Sequence, residues 1–100
     1  MTRIIKATNL FKKQIKDLNK NSREMIHEKI ELIKSNPYRF KKIHSKNFSK
    51  VFRVRFSIES KETRLIYIVI EPNIILICLL DRKGNYKDLE KYIKKAKKEI

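Results

Sequence analysis

In Val51-Phe52-Arg53-Val54-Arg55-Phe56 the residues from Phe52 onward alternate between apolar and cationic, and this period of two marks a strand. Phe52, Val54 and Phe56 then share one face, with Arg53 and Arg55 on the other. The aromatic face needs a second layer to cover it. The guanidinium face is left open, toward solvent or toward an anion.

Downstream, Glu59 to Glu62 reads as a polar turn and Arg64 to Ile70 as a second strand; Glu71 to Asn73 forms a tight turn around Pro72, and Ile74 to Leu80 a third strand. Connections this short pair strands antiparallel. The unbroken apolar run of the third strand predicts cover on both faces and a place near the middle of the sheet. Asp81 to Asn85 is a charged turn holding the only glycine. From Tyr86 to Ile100 the spacing of Leu89, Tyr92, Ile93 and Ala96 describes an amphipathic helix whose other face is mostly lysine.

Upstream, the period is that of helices. Leu10, Phe11, Ile15 and Leu18 form the stripe of a first helix, with Asn9 in the N-cap position. Asn19 to Asn21 breaks the pattern. Ser22 then opens a second helix carrying Met25, Ile26, Ile30 and Ile33, which ends before Pro37. Arg3 to Ala7 reads as a short strand. The expected architecture is α+β: an N-terminal strand and a helical hairpin packed on an antiparallel sheet of three to four strands, followed by a C-terminal helix. All 100 residues are expected in a single domain, with no internal repeat or linker.

Charge narrows the function. The chain carries a formal net charge of +15, and no acidic residue occurs between Leu32 and Ile58. That stretch holds Lys34, Arg39, Lys41, Lys42, Lys46, Lys50, Arg53 and Arg55, interleaved with Tyr38, Phe40, Phe48, Phe52 and Phe56. Cations and aromatic rings together suit phosphates and bases, so nucleic acid is the first partner implied. With 41% hydrophobic residues the chain can build a core, which a disordered basic tail cannot. Coding bias in an AT-rich genome gives a second account of the lysine, isoleucine and asparagine content.

Other chemistries lack their residues. There is no Gly-rich phosphate loop, no Gly-x-Ser-x-Gly turn and no pair of Cys or His at metal spacing. The acids are scattered among helical lysines, so a nuclease here is expected to work without metal or other cofactor. Cys78 lies within an apolar run and is expected to pack in the core. His27 reads as a helix-surface residue, whereas His44 sits in the basic loop as a candidate for proton transfer or phosphate contact. No charged-then-apolar leader opens the chain, and no apolar stretch nears the roughly 20 residues of a membrane span. The expectation is a cytoplasmic protein without a membrane partner.

Arginine on a strand face holds phosphate through a planar fork of donors and keeps its charge as a transition state develops. If the sheet closes as read, Arg53, Arg55, Arg64 and Arg82 converge on one concave surface that no carboxylate neutralises. A solvated strand face is the plainer account of Arg53 or Arg55 alone; the cluster is what points to a site. Tyr86 either stacks a base or caps the last helix.

The order of elements and these residues together resemble the RelE/ParE superfamily of toxins from toxin–antitoxin modules. The resemblance runs over nearly the whole chain. It is carried by Phe11, Ile15 and Leu18, by Asn36-Pro37 at the end of the second helix, and by the Lys41-Lys42-Ile43 approach to the sheet. Phe52-Arg53-Val54-Arg55-Phe56, Arg64-Leu65-Ile66-Tyr67 and Asp81-Arg82-Lys83-Gly84-Asn85-Tyr86 complete it. It implies a small toxin held inactive by a cognate antitoxin, in its RelE branch cutting mRNA on the ribosome by attack of a 2′-hydroxyl on the adjacent phosphate.

By the same resemblance Arg53, Arg55, Arg64, Arg82 and Tyr86 are the catalytic positions. The basic stretches themselves add Arg39, Lys42, His44, Lys46, Lys50 and Lys83 as expected substrate-binding residues. Two departures stand out. Some members carry lysines where this chain has Arg53 and Arg55, and arginine cannot serve as a base, which leaves that role open among Lys46, Lys50 and His44. The turn from Ser57 to Thr63 also reads as longer than usual. A ParE-like block of DNA gyrase without catalysis, and a non-toxic RNA-binding module, are the competing functions. An acidic antitoxin segment is the expected partner in each, with ribosome and mRNA added in the first.

Overall fold

The structure, a computed structural model, describes residues 2–81 and 86–100. The elements in chain order are β1 (Ile4–Ala7), α1 (Asn9–Lys16), α2 (Lys20–Ser35), β2 (Lys41–Ile43), β3 (Val51–Ile58), β4 (Lys61–Ile70), β5 (Asn73–Asp81) and α3 (Tyr86–Glu99). Among the described residues the strands form one sheet of five, in the order β1-β5-β4-β3-β2. Strands β2 to β5 pair antiparallel, and β1 lies parallel to β5.

The α+β expectation holds, with one strand more. β2 was expected only as an approach to the sheet. It is three residues long, lies at an edge and contains two lysines, so it offers almost no apolar alternation to read. β5 is covered on both faces as its sequence predicts, although β4 holds the central place.

Two cores result, one on each side of the sheet. On the first, α1 and α2 place Phe11, Ile26 and Ile33 against Phe52, Val54, Phe56, Leu65, Tyr67 and Leu76. On the second, α3 places Leu89, Ile93 and Ala96 against Val51, Ile66, Ile68, Ile75 and Ile77. The side opposite the hairpin is therefore not wholly open. Apolar runs in β4 and β5 put side chains on both faces, and both must leave water; at about 25 cal/mol per Å² this outweighs keeping α3 in solvent. On that side Lys41 of β2 and Arg55 of β3 are exposed and Arg53 is half-buried, while Val51 and Ile43 pack into the α3-side core.

Local chemistry sets the element ends. Thr8, not Asn9, caps α1: its Oγ1 accepts from the Phe11 N–H at 3.1 Å and donates to the Ile77 carbonyl at 2.6 Å, tying the helix start to β5. Asn19 caps α2 by accepting from the Ser22 N–H at 2.8 Å, so this helix begins at Lys20, before Ser22. The β3–β4 turn is shorter than expected. Ile58 pairs with Lys61, and only Glu59 (φ 51°) and Ser60 (φ 66°) lie between them. Such two-residue turns need positive φ at both positions and usually advertise themselves as Asn-Gly; a Glu-Ser pair gives no such signal. No helix among the described residues is long and apolar enough to cross a membrane.

Candidate functional site

Strand parity and register assemble a cationic face beside α3. Arg53 pairs with Lys41 of β2 on one side and with Ile66 of β4 on the other. Arg55 stands directly opposite Arg64. Because Val51, Ile66 and Ile68 belong to the α3-side core, residues Lys41, Arg53, Arg55, Glu62 and Arg64 share that side of the sheet. Directly opposed like charges cost stability, and Glu62 offsets this. Its Oε1 lies 3.4 Å from Arg55 Nε and 3.8 Å from Arg64 Nη2.

Exposure grades the group. The Arg55 side chain is 55% exposed, Glu62 33% and Arg64 only 7%. Arg64 is thus enclosed beneath the face, and Arg55 with the half-buried Arg53 is its accessible part. Two expectations are corrected. A carboxylate does reach the arginine face, supplied by the first residues of β4, because the tight Glu59–Ser60 turn folds Glu62 back across the strand from Ser57. Nor does Arg64 lie open on the surface: it pairs with Leu80 in a strand flanked on both sides, where its stem is enclosed.

The other candidate residues divide among several places. Lys42 pairs with Phe52, so its side of β2 is that of the helical hairpin, away from Arg53. Lys41 takes the position beside Arg53 instead. Ile43 packs toward α3, and a period of two puts Lys41 on the same side, a parity that a three-residue strand with two lysines does not announce. Arg39 lies before β2 with its guanidinium 5.3 Å from the Phe40 ring centroid. Arg82 and Lys83, with the rest of the turn to Asn85, lie outside the described residues. Tyr86 opens α3, and its side chain lies outside what the structure describes.

His44 and Lys46 are exposed in the β2–β3 loop, which α3 clasps through Glu90. That carboxylate accepts from the Lys46 N–H at 3.0 Å, from Asn47 Nδ2 at 2.8 Å and from Ser45 Oγ at 3.3 Å. Partial burial raises the Glu90 carboxyl, but these donors and nearby His44 outweigh it, and the group ends below the usual carboxylate range.

Lys50 belongs to a different cluster. Its Nζ sits 5.7 Å from the centroid of Tyr38, and the Arg3 guanidinium sits 6.0 Å from the same ring. Glu71 joins them, accepting from Arg3 Nε at 3.2 Å and from the Tyr38 hydroxyl at 3.1 Å. The hydrogen bond from Arg3 holds the Glu71 carboxyl below its usual range, against an opposing effect of burial. Behind Tyr38, Phe52 meets it edge-on at 5.9 Å and stacks on Tyr67 at 5.5 Å. The Tyr67 hydroxyl donates to the Pro37 carbonyl, and burial raises its pKa.

Cys78 is fully buried, and burial pushes its thiol up to about 12, which fits the packing role expected of it. His27 lies on the α2 surface, 3.9 Å from Glu31. Among the described residues no three His, Cys, Asp or Glu side chains gather as a metal ion would require.

Comparison with known proteins starts from silence in sequence: no protein-family profile and no curated protein matches the chain. Solved structures do match. A free form of the E. coli toxin RelE, with two arginines replaced by alanine, aligns over 100% of this chain and 99% of its own at a TM-score of 0.67 and 19% identity. The chain has the RelE fold. The isolated E. coli RelE toxin in a P21 crystal form aligns over 98% of this chain and 99% of its own, at a TM-score of 0.62 and 19% identity. The intact E. coli RelBE toxin–antitoxin complex aligns over 77% of this chain and 93% of the matched chain, at a TM-score of 0.62 and 17% identity.

Proposed function

We propose that this chain is the toxin of a toxin–antitoxin module and acts as a ribosome-dependent mRNA endoribonuclease. The observation that carries the reading is the strand face shared by Lys41, Arg53, Arg55 and Arg64, with Glu62 between Arg55 and Arg64, set on a RelE fold. Cleavage of RNA by its own 2′-hydroxyl asks for that hydroxyl to be aligned with the phosphate and for the growing phosphoryl charge to be met by fixed cations. Arg53 and Arg55 meet the scissile phosphate, and the enclosed Arg64 stiffens the floor beneath them. His44 and Lys46 take flanking phosphates. Arg82, Lys83 and Tyr86 join by the family likeness alone, with Tyr86 stacking a base. Arg39, Lys42 and Lys50 are released from the substrate set, because their places in the fold are elsewhere.

The proposed partners are ribosome and mRNA in the cytoplasm, together with a cognate antitoxin. An acidic antitoxin segment covering the arginine face suits its excess of positive charge. Purified protein added to ribosomes translating a defined message should yield fragments ending in cyclic phosphate, and a 2′-deoxy nucleotide at the cut should abolish them. An intact message at saturating protein would sink the reading. Inhibited supercoiling by gyrase in the same preparation would replace it with the ParE-like one.

A further inference from the structure

Arginine supplies charge but no base, and the residues offered for that role from sequence do not stand beside Arg55. Lys50 is engaged with Tyr38. His44 and Lys46 lie past the Val51 end of β3, and Arg55 is four residues further along that strand, roughly 13 Å at the rise of an extended chain. Glu62 is different. Its Oε1 meets both Arg55 and Arg64, and a third of its side chain is open to solvent.

We propose that Glu62 is a catalytic residue, the proton acceptor for the 2′-hydroxyl of the cleaved nucleotide; this rests on the endoribonuclease reading above. A guanidinium has five donors arranged in a fork, so Arg55 can hold Glu62 through Nε and present its outer nitrogens to a phosphate. A phosphate so held brings the adjoining ribose to the carboxylate. Among the described residues, the charged groups that face Glu62 are Arg55 from β3 and Arg64 from its own strand β4, with Arg53 and, from β2, Lys41 further along the same side. These cations let an anionic base and an anionic substrate share one surface.

The step balances as follows. The Glu62 carboxylate takes the proton of the 2′-hydroxyl while the 2′-oxygen forms a bond to phosphorus. The bond from phosphorus to the 5′-oxygen breaks, and that oxygen keeps the electron pair and takes a proton from water. The products are a 2′,3′-cyclic phosphate and a 5′-hydroxyl. Glu62 then returns its proton to the hydroxide left in solvent.

The test is single-turnover cleavage of a defined message on ribosomes across a pH series. Wild-type rates should fall as acid protonates the carboxylate. Glu62→Gln, which keeps shape and an acceptor for the arginines, should be about a hundredfold slower or worse and should show no such fall. Glu62→Asp retains the charge but shifts it, and should lose roughly tenfold to a hundredfold while keeping the acid limb. Thermal unfolding of each variant separates loss of fold from loss of base, and Glu62→Asp serves if the Gln variant does not fold.

A Gln variant that keeps the acid limb, or an Asp variant at full wild-type rate, overturns the role of Glu62 and leaves the endoribonuclease reading intact. Wild-type protein that cuts no message overturns both.

Discussion

Among the described residues, Arg55 shares a strand face with Arg53, Arg64, Lys41 and Glu62; around Tyr38, Arg3 and Lys50 are drawn onto one ring, with Glu71 bonded to Arg3 and Tyr38. The two groups use similar residues. In the second, the hydrogen bonds and ring contacts join segments distant in sequence: the chain before β1, the start of β3 and the β4–β5 turn. In the first, Arg55 and Arg64 stand directly opposite one another on adjacent strands, an arrangement that stability alone does not favour. Charge density is therefore a poor guide to a site, and like charges set directly opposite one another a better one.

The sharpest way to break this contrast is to remove Arg53. Replacing it with Ala should slow message cleavage by about a hundred- to a thousandfold, as for the loss of one donor at a developing anion, and leave the fold in place. An equal loss from Lys50→Ala would erase the distinction, since Lys50 belongs to the Tyr38 group and should change the rate less than about twofold.

Within the arginine face, burial predicts a second difference. Arg64→Ala should cost about 2 to 3 kcal/mol in urea unfolding, because an enclosed stem leaves a void. Arg55→Ala should cost less than about 1 kcal/mol, its ion pair being solvated. Both should impair cleavage. At the other group the aromatic base is the stability element: Tyr67→Phe should cost about 1 to 2 kcal/mol by leaving the buried Pro37 carbonyl without its donor, with no change in cleavage.

How far the sequence carried is visible in these same residues. The period of two in β3 was enough to separate Phe52, Val54 and Phe56 from Arg53 and Arg55, and the apolar run of β5 announced a sheet covered on both sides. The same run implied that something must cover the far face, and that something is α3, whose stripe of Leu89, Ile93 and Ala96 was also legible. Register was not. The pairing of Lys41 with Arg53, and the reach of Glu62 to Arg55 and Arg64, depend on a two-residue turn formed by Glu59 and Ser60, neither of which has a strong preference for positive φ. The Tyr38 cluster was hidden for another reason. It joins residues 3, 38, 50 and 71, and contacts at such separation leave no trace in local pattern.

The smallest expected effect concerns the acid limb of stability at the Tyr38 group. The Glu71 carboxyl is held below its ordinary value of 4.5 in the folded chain, chiefly by the Arg3 hydrogen bond and with help from Tyr38 and Lys50. A lowered carboxyl contributes stability that is complete above the unfolded value and disappears as pH falls through the folded one. Thermal midpoints of wild type and Glu71→Gln should therefore differ slightly above pH 4.5 and converge in stronger acid, the wild type losing what the variant never had. The gap should also shrink in salt, since the pair is exposed. A gap that persists unchanged in acid would mean that Glu71 acts through shape rather than charge, and the Tyr38 group would then no longer be the charge-paired counterpart of the arginine face.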